Sequence, residues 1–368
     1  MRIGYFTHSL RSCWNHGNAH FLRGVLRELV LLGHDVRAFE PADGWSARNL
    51  AADHGAAALE EWRESYPELT TTLHHGPHEA ERLCDAADVV IVHEWNDPAL
   101  VARLGRARAH GARYLLLFHD THHRAVSDPE AMGRYDLSGY DGVLAFGGAL
   151  AAEYVRRGWG RHAFVWHEAA DTRHFRPPPE ETTRGGLVWI GNWGDGERSD
   201  ELEEFLFRPA SEAPLPLELW GVRYPPKARR TLAAYGVSYR GWAPNAEAPR
   251  IFASKLATVH VPRRFYVSAL PGIPTIRVFE ALACGIPLVS APWDDTEGLF
   301  RSGRDFLMAR DGDDMTRRLR EVRDDAELRA ALVSSGLETI RARHTCAHRA
   351  CELLAVVNQL RAPEALLA

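Results

Sequence analysis

The chain has 368 residues, enough for two domains that each bury a core of their own. Apolar residues make up 45% and charged residues 25%, and the formal charge is −5. This balance argues against a disordered chain and against bulk-charge binding to nucleic acid or an anionic membrane. Lys227 and Lys255 are the only lysines, so any bound phosphate must be gripped by Arg, by backbone N–H groups or by one of those two.

Residues 2–7 (RIGYFT) read as a buried strand, followed by a helix over 19–32 that ends at Gly33 and a strand over 35–39. Residues 41–80 carry only weak helical periodicity. The runs 88–93 (DVVIVH), 114–119 (YLLLFH) and 142–146 (GVLAF) each follow a polar or helical stretch. Such alternation predicts βαβ units and a parallel sheet. Residues 171–184, polar and with three consecutive prolines, read as an interdomain linker. Beyond them the pattern restarts, with strands expected at 187–192, 217–221, 237–242, 256–261 and 286–291 and an amphipathic helix over 316–332. The expected fold is therefore α/β, two Rossmann-like domains facing across a cleft. Their spans are 1–175 and 185–343, with a last helix in 344–368 crossing back to the first domain.

Cys13, Cys84, Cys284, Cys346 and Cys351 are scattered and odd in number, which fits a reducing compartment better than a disulfide scaffold. The first ten residues lack the pattern of a signal peptide, and no apolar run is long enough to span a membrane, so a cytoplasmic location is expected.

Two segments carry residues suited to binding a nucleotide. In 275–292 (TIRVFEALACGIPLVSAP), Thr275, Arg277 and Glu280 stand at the start of a short helix that ends at Gly285. A helix N-terminus beside an Arg suits a diphosphate, and a carboxylate one turn on suits the two hydroxyls of a ribose; an ordinary exposed Arg–Glu pair is the competing reading. In 191–198 (GNWGDGER), Gly191 and Asn192 follow a strand in a Gly-rich turn and Arg198 adds charge, although a plain turn reads the same way. Arg263 and Arg264 follow the strand 256–261 and are available as further cations, with Lys255 read as an exposed helix residue.

The wording RVFEALACGIPLVS, preceded by LVWIGNWGDGER, resembles the donor signature of group-1 glycosyltransferases of the GT-B fold, in particular the CgeB-like branch. The resemblance covers most of the second half and the first half only loosely. It implies that Glu280 binds the nucleotide ribose and that Arg198 neutralises the leaving diphosphate, with Arg263, Arg264 and Arg277 as the candidates for the second charge. The family's second Glu, eight residues before Glu280, is here Gly272, and the family's Lys after Arg198 is missing.

On the acceptor side the resemblance implies a His at the end of strand 114–119, which His119 matches, and Asp120 is expected to orient it or to act as the base. His16, Asn18 and His20 open the first helix, and His93, with Glu94 and Trp95 after it, ends another strand. These are expected to line the acceptor side, with His122 and His123 in solvent. No HExxH, DxD at a strand end or Cys/His zinc spacing occurs, so no metal ligands are expected.

The function expected is transfer of a sugar from a UDP-, GDP- or dTDP-linked donor to an acceptor hydroxyl or similar nucleophile, with retention and without metal. The nucleotide sugar is a co-substrate and no cofactor is needed; no nucleic-acid partner is expected. A sugar-nucleotide 2-epimerase on the same fold and a non-catalytic sugar-nucleotide or glycan binder remain as alternatives.

Overall fold

A parallel strand covered by helices on both faces is written as an unbroken apolar run, because neither face meets water. The runs VVIV and LLLF satisfy this, and in the computed structural model every residue of these two strands is buried. The structure describes residues 1–179, 184–194 and 196–362. Part of the expected linker, Asp195 of the Gly-rich turn and the last six residues thus lie outside the described residues.

The chain divides into two units, one of residues 1–168 with 346–368 and the other of residues 169–345. In the first unit the strands are Arg2–Phe6 (β1), Asp35–Pro41 (β2), Thr71–His74 (β3), Val89–His93 (β4), Leu115–Asp120 (β5), Gly142–Ala145 (β6) and Ala163–Val165 (β7). All pair in parallel in the order β3-β2-β1-β4-β5-β6-β7, so the strand order reverses between β1 and β4. Open sheets of this kind bind ligands beyond the carboxyl ends of the strands at that reversal. The final helix Cys346–Arg361 belongs to this unit: Trp166 Nε1 donates to the Arg349 carbonyl at 2.9 Å, and Arg361 donates to the Asp88 carbonyl at 3.2 Å.

In the second unit Leu187–Ile190 (β8), Leu217–Trp220 (β9), Ser238–Gly241 (β10), Ala257–His260 (β11), Leu288–Ser290 (β12) and Leu307–Met308 (β13) form a sheet in the order β10-β9-β8-β11-β12-β13. Trp189, Leu219, Val259, Val289, Phe207, Met315 and Leu319 share its main core. The single helix expected over 316–332 is two, Gly312–Asp324 and Ala326–Arg343. Asp325 makes the break: its carboxylate accepts from the Leu328 N–H at 2.9 Å and caps the second helix. The stretch 41–80 resolves into short helices and the edge strand β3.

Candidate active site

The second unit gathers cations where its strands end. At the end of β8, Gly191 passes so close to Gly221 at the end of β9 that a Cβ on Gly221 would lie 1.9 Å from the Gly191 carbonyl oxygen. Tyr224 donates to that same oxygen at 2.9 Å, and the Asn192 side-chain oxygen accepts from the Val222 N–H at 3.2 Å. The Gly-rich turn is thereby locked to its neighbour, with Gly191 and Asn192 serving the backbone geometry.

Arg198 follows on the same turn. Its guanidinium is buried, donates to the carbonyls of Val261 at 3.1 Å and Asn192 at 2.7 Å, and lies 4.9 Å from the Trp189 ring centroid. Among the described residues no carboxylate pairs with it, and its Nε has no hydrogen-bond partner. Burial, reinforced by the charges of Arg263 and Arg277, lowers its pKa from 12.5 to about 9. At neutral pH the group is still charged: a buried cation repelled by Arg263 and Arg277, hydrogen-bonded to two neutral carbonyls, with Glu197 offsetting part of the repulsion.

Arg263, just after β11, pairs with Glu197. Thr275 caps the helix Ile276–Ala283 with an extended backbone and no side-chain hydrogen bond to the helix. Arg277 and Glu280, expected to hold the diphosphate and the ribose, pair with each other one turn into that helix, and Glu280 is wholly buried. Gly272, where the resemblance places a Glu, has φ +88°, and a Cβ there would lie 2.2 Å from Thr296 Oγ1, so this backbone has no room for that side chain. Lys255, expected on an exposed helix, is instead mostly buried and paired with Glu218 at 3.2 Å. His260, which the sequence reading passed over, ends β11 and bonds Ser290 at 2.9 Å; burial, together with the Arg198 charge, lowers its pKa to about 3.

In the first unit the carboxyl ends of β1, β4 and β5 bring histidines together. His119 is buried with its Nδ1 2.5 Å from the Tyr5 hydroxyl, ringed by Phe21, His93 and Trp166, and its Nε2 has no partner among the described residues. Burial lowers its pKa to about 3. Asp120 does not orient it. Successive strand residues face opposite sides of a sheet, and Asp120 accepts from Tyr154 at 2.7 Å and from the His122 N–H at 2.9 Å. Burial and then the Glu94 charge push the Asp120 pKa well above the usual carboxylate range.

His93 bonds Thr121 at 3.2 Å, and its ring centroid lies 6.3 Å from that of His16, which is itself buried. His20 is buried and turned back to the Gly17 carbonyl at 3.3 Å, while Asn18 forms the cap position of the helix Ala19–Leu31 without a side-chain bond. His123, expected in solvent, is buried and bonds Ser127 at 2.8 Å; His122 is half-buried against Trp95. The sequence reading missed His8, Trp45, Thr121 and the ion pair of Arg124 with Glu94 at 2.9 Å. Each follows a strand, in a loop or at the start of the next helix, and that position was the only signal available.

Residues 198–355 match the model of the glycosyl transferase-like family, a segment that begins at Arg198 and includes Arg263, Arg277 and Glu280. The chain has the GT-B fold. Among solved structures of that fold, Anabaena HepE in complex with UDP superimposes with a TM-score of 0.70 at 13% identity, over 98% of this chain and 100% of that one. Sucrose-phosphate synthase from Thermosynechococcus elongatus gives 0.66 at 14% identity over 98% and 99%, and T4 phage BGT with its UDP-glucose substrate gives 0.61 at 12% over 98% and 99%. No curated protein matches the chain. Among the described residues no group of three or more His, Cys, Asp or Glu side chains is placed to hold a metal ion, and no helix is long and apolar enough to cross a membrane.

Proposed function

We propose that the protein transfers a sugar from a UDP-sugar to an acceptor hydroxyl, with its second unit holding the donor. The observation that carries this reading is Arg198: a buried guanidinium that among the described residues pairs with no carboxylate, with the charges of Arg263 and Arg277 acting on it, suits the binding of an anion. Breaking the anomeric bond builds negative charge on the β-phosphate, and fixed cations in a buried setting stabilise it more than water would. In the liganded protein Arg277 turns from Glu280 to the diphosphate, and Glu280 is then released to accept the ribose hydroxyls. UDP is favoured over GDP and dTDP because HepE and BGT carry UDP or UDP-glucose. A CgeB-like kinship, retention of configuration, activity without metal and a cytoplasmic location belong to the same proposal.

On the acceptor side His119 and Asp120 are the candidates for taking the acceptor's proton. Of the two, Asp120 holds a proton more firmly and is the stronger base once ionised, whereas His119 with a pKa near 3 is a weak one. The test is UDP release from a panel of UDP-sugars with and without added acceptors, in the presence of EDTA, followed by NMR of the products. UDP release that requires an acceptor, survives EDTA and keeps the donor's anomeric configuration supports the proposal. Conversion of the donor alone to its 2-epimer, or binding of UDP-sugar without turnover on any acceptor, contradicts it.

A further inference from the structure

The loops at the carboxyl ends of the first unit's central strands present an aromatic surface that the donor chemistry does not use. Trp95, after β4, and Trp45, at the start of the helix Trp45–His54 after β2, are 42% and 40% exposed, in a chain where most large apolar side chains are buried. His8, in the loop after β1, lies between them, its ring centroid 6.3 Å from that of Trp95 and 6.4 Å from that of Trp45. His16 packs edge-on against His8 at 5.2 Å; it is only 8% exposed, and its Nδ1 has no hydrogen-bond partner among the described residues. The tryptophans are held from behind. The Arg124 guanidinium lies 4.0 Å from the Trp95 ring centroid and is itself tied to Glu94, and Trp14 packs edge-on against Trp45 at 5.0 Å.

We infer that this Trp45–His8–Trp95 surface binds a neutral saccharide, which makes the acceptor a carbohydrate; the inference rests on the transferase reading above. Three features select this ligand. Exposed indole rings offer a flat apolar surface with a polar edge, which matches a pyranose whose C–H groups line one face and whose hydroxyls line the rim. A neutral imidazole carries one donor and one acceptor nitrogen, as a hydroxyl carries both functions, so His8 and His16 pair with hydroxyls in either sense. Burial holds His8 at a pKa of about 4 and His16 well below its ordinary value, so both are neutral in the range where the protein is expected to work. Third, two nearby ion pairs are already formed, Glu94 with Arg124 and Glu40 with Arg11 at 2.7 Å, and Arg23, whose charge acts on His16, is buried and donates to the Leu10 carbonyl at 2.6 Å. A polyanion such as DNA or RNA would need exposed, uncommitted cations to hold its phosphates; Arg124 and Arg11 are paired and Arg23 is buried.

The experiment uses the full chain and reads binding directly. Saturation-transfer NMR is recorded with a panel of neutral disaccharides (maltose, cellobiose, mannobiose, chitobiose) and, as a second arm, with thymidine and a short single-stranded DNA. UDP affinity is measured separately by calorimetry. The expected result is transfer to the C–H protons of at least one disaccharide, with Trp95→Ala weakening that binding by about tenfold or more, as loss of an aromatic anchor does. Trp95→Phe should restore part of it, and UDP affinity should be unchanged in both variants. Transfer to none of the disaccharides, preferential binding of thymidine or DNA, or an unaltered signal in Trp95→Ala would overturn the inference. If UDP still binds in those cases, the saccharide assignment fails alone; if UDP does not bind either, the transferase reading fails with it.

Discussion

Replacing Arg198 by Met keeps a long side chain under Trp189 and removes the charge. A guanidinium held at about 9 rather than 12.5 has its charged form disfavoured by about 5 kcal/mol, a cost set by burial and by Arg263 and Arg277. Against that gain the variant loses hydrogen bonds to two carbonyls, each about 1.5–3 kcal/mol because the donor is charged, and a contact with Trp189 of about 1 kcal/mol. The opposing contributions nearly cancel, so the ligand-free variant should be within about 2 kcal/mol of the parent in stability. UDP binding has no such compensation. Losing one charge-assisted contact to the diphosphate should weaken it by about 10- to 100-fold. Thermal unfolding without ligand and calorimetric titration with UDP measure the two quantities independently. A variant that binds UDP like the parent refutes the anion-site assignment, and one that is severely destabilised without ligand makes Arg198 a structural cation instead.

Further expectations follow from the same geometry. Gly221→Ala should lower both stability and UDP affinity, since its Cβ would lie 1.9 Å from the Gly191 carbonyl and must push the donor turn aside; an unshifted melting temperature would contradict this. Arg277→Lys should keep UDP binding measurable but lower turnover, because an ammonium cannot make the two-pronged contact of a guanidinium, and steady-state kinetics would show it. Stability should fall with acid: His119 and His260 stay neutral down to about pH 3 when folded but protonate near 6.5 when unfolded. Each then costs about 1.4 kcal/mol per pH unit below 6.5, while Asp120, with its raised pKa, works in the opposite direction and softens the slope. Melting curves between pH 7.5 and 5 should therefore be steeper for the parent than for His260→Asn, and equal slopes would be the contrary result.

How far the sequence carried depended on how much of each element is buried. β4 and β5 were readable because they are covered on both faces and spelled as unbroken apolar runs. β3, β7 and β13 were missed; each lies at the edge of its sheet and is at most four residues long, β3 without an apolar run and β7 and β13 within runs of only four apolar residues. The cations of the candidate site were legible as a set, since Arg198, Arg263 and Arg277 each follow a strand or open a helix, but the pairing of Arg277 with Glu280 was not. His119 and Asp120 are neighbours in sequence and therefore face opposite sides of the sheet, a consequence of strand geometry that outweighs adjacency. The Trp45–His8–Trp95 surface draws on loops after three different strands, and no local pattern marks it.

The most direct measurement of the account compares UDP, UMP and uridine as ligands of the unmodified chain by calorimetry. If buried arginines in the second unit form the donor site, affinity should fall steeply from UDP to UMP and again to uridine, and UDP at 100 times its Kd should add about 2.7 kcal/mol of stability. Equal affinities for the three, or no binding of UDP, would show that the charge gathered around Arg198 is not a diphosphate site.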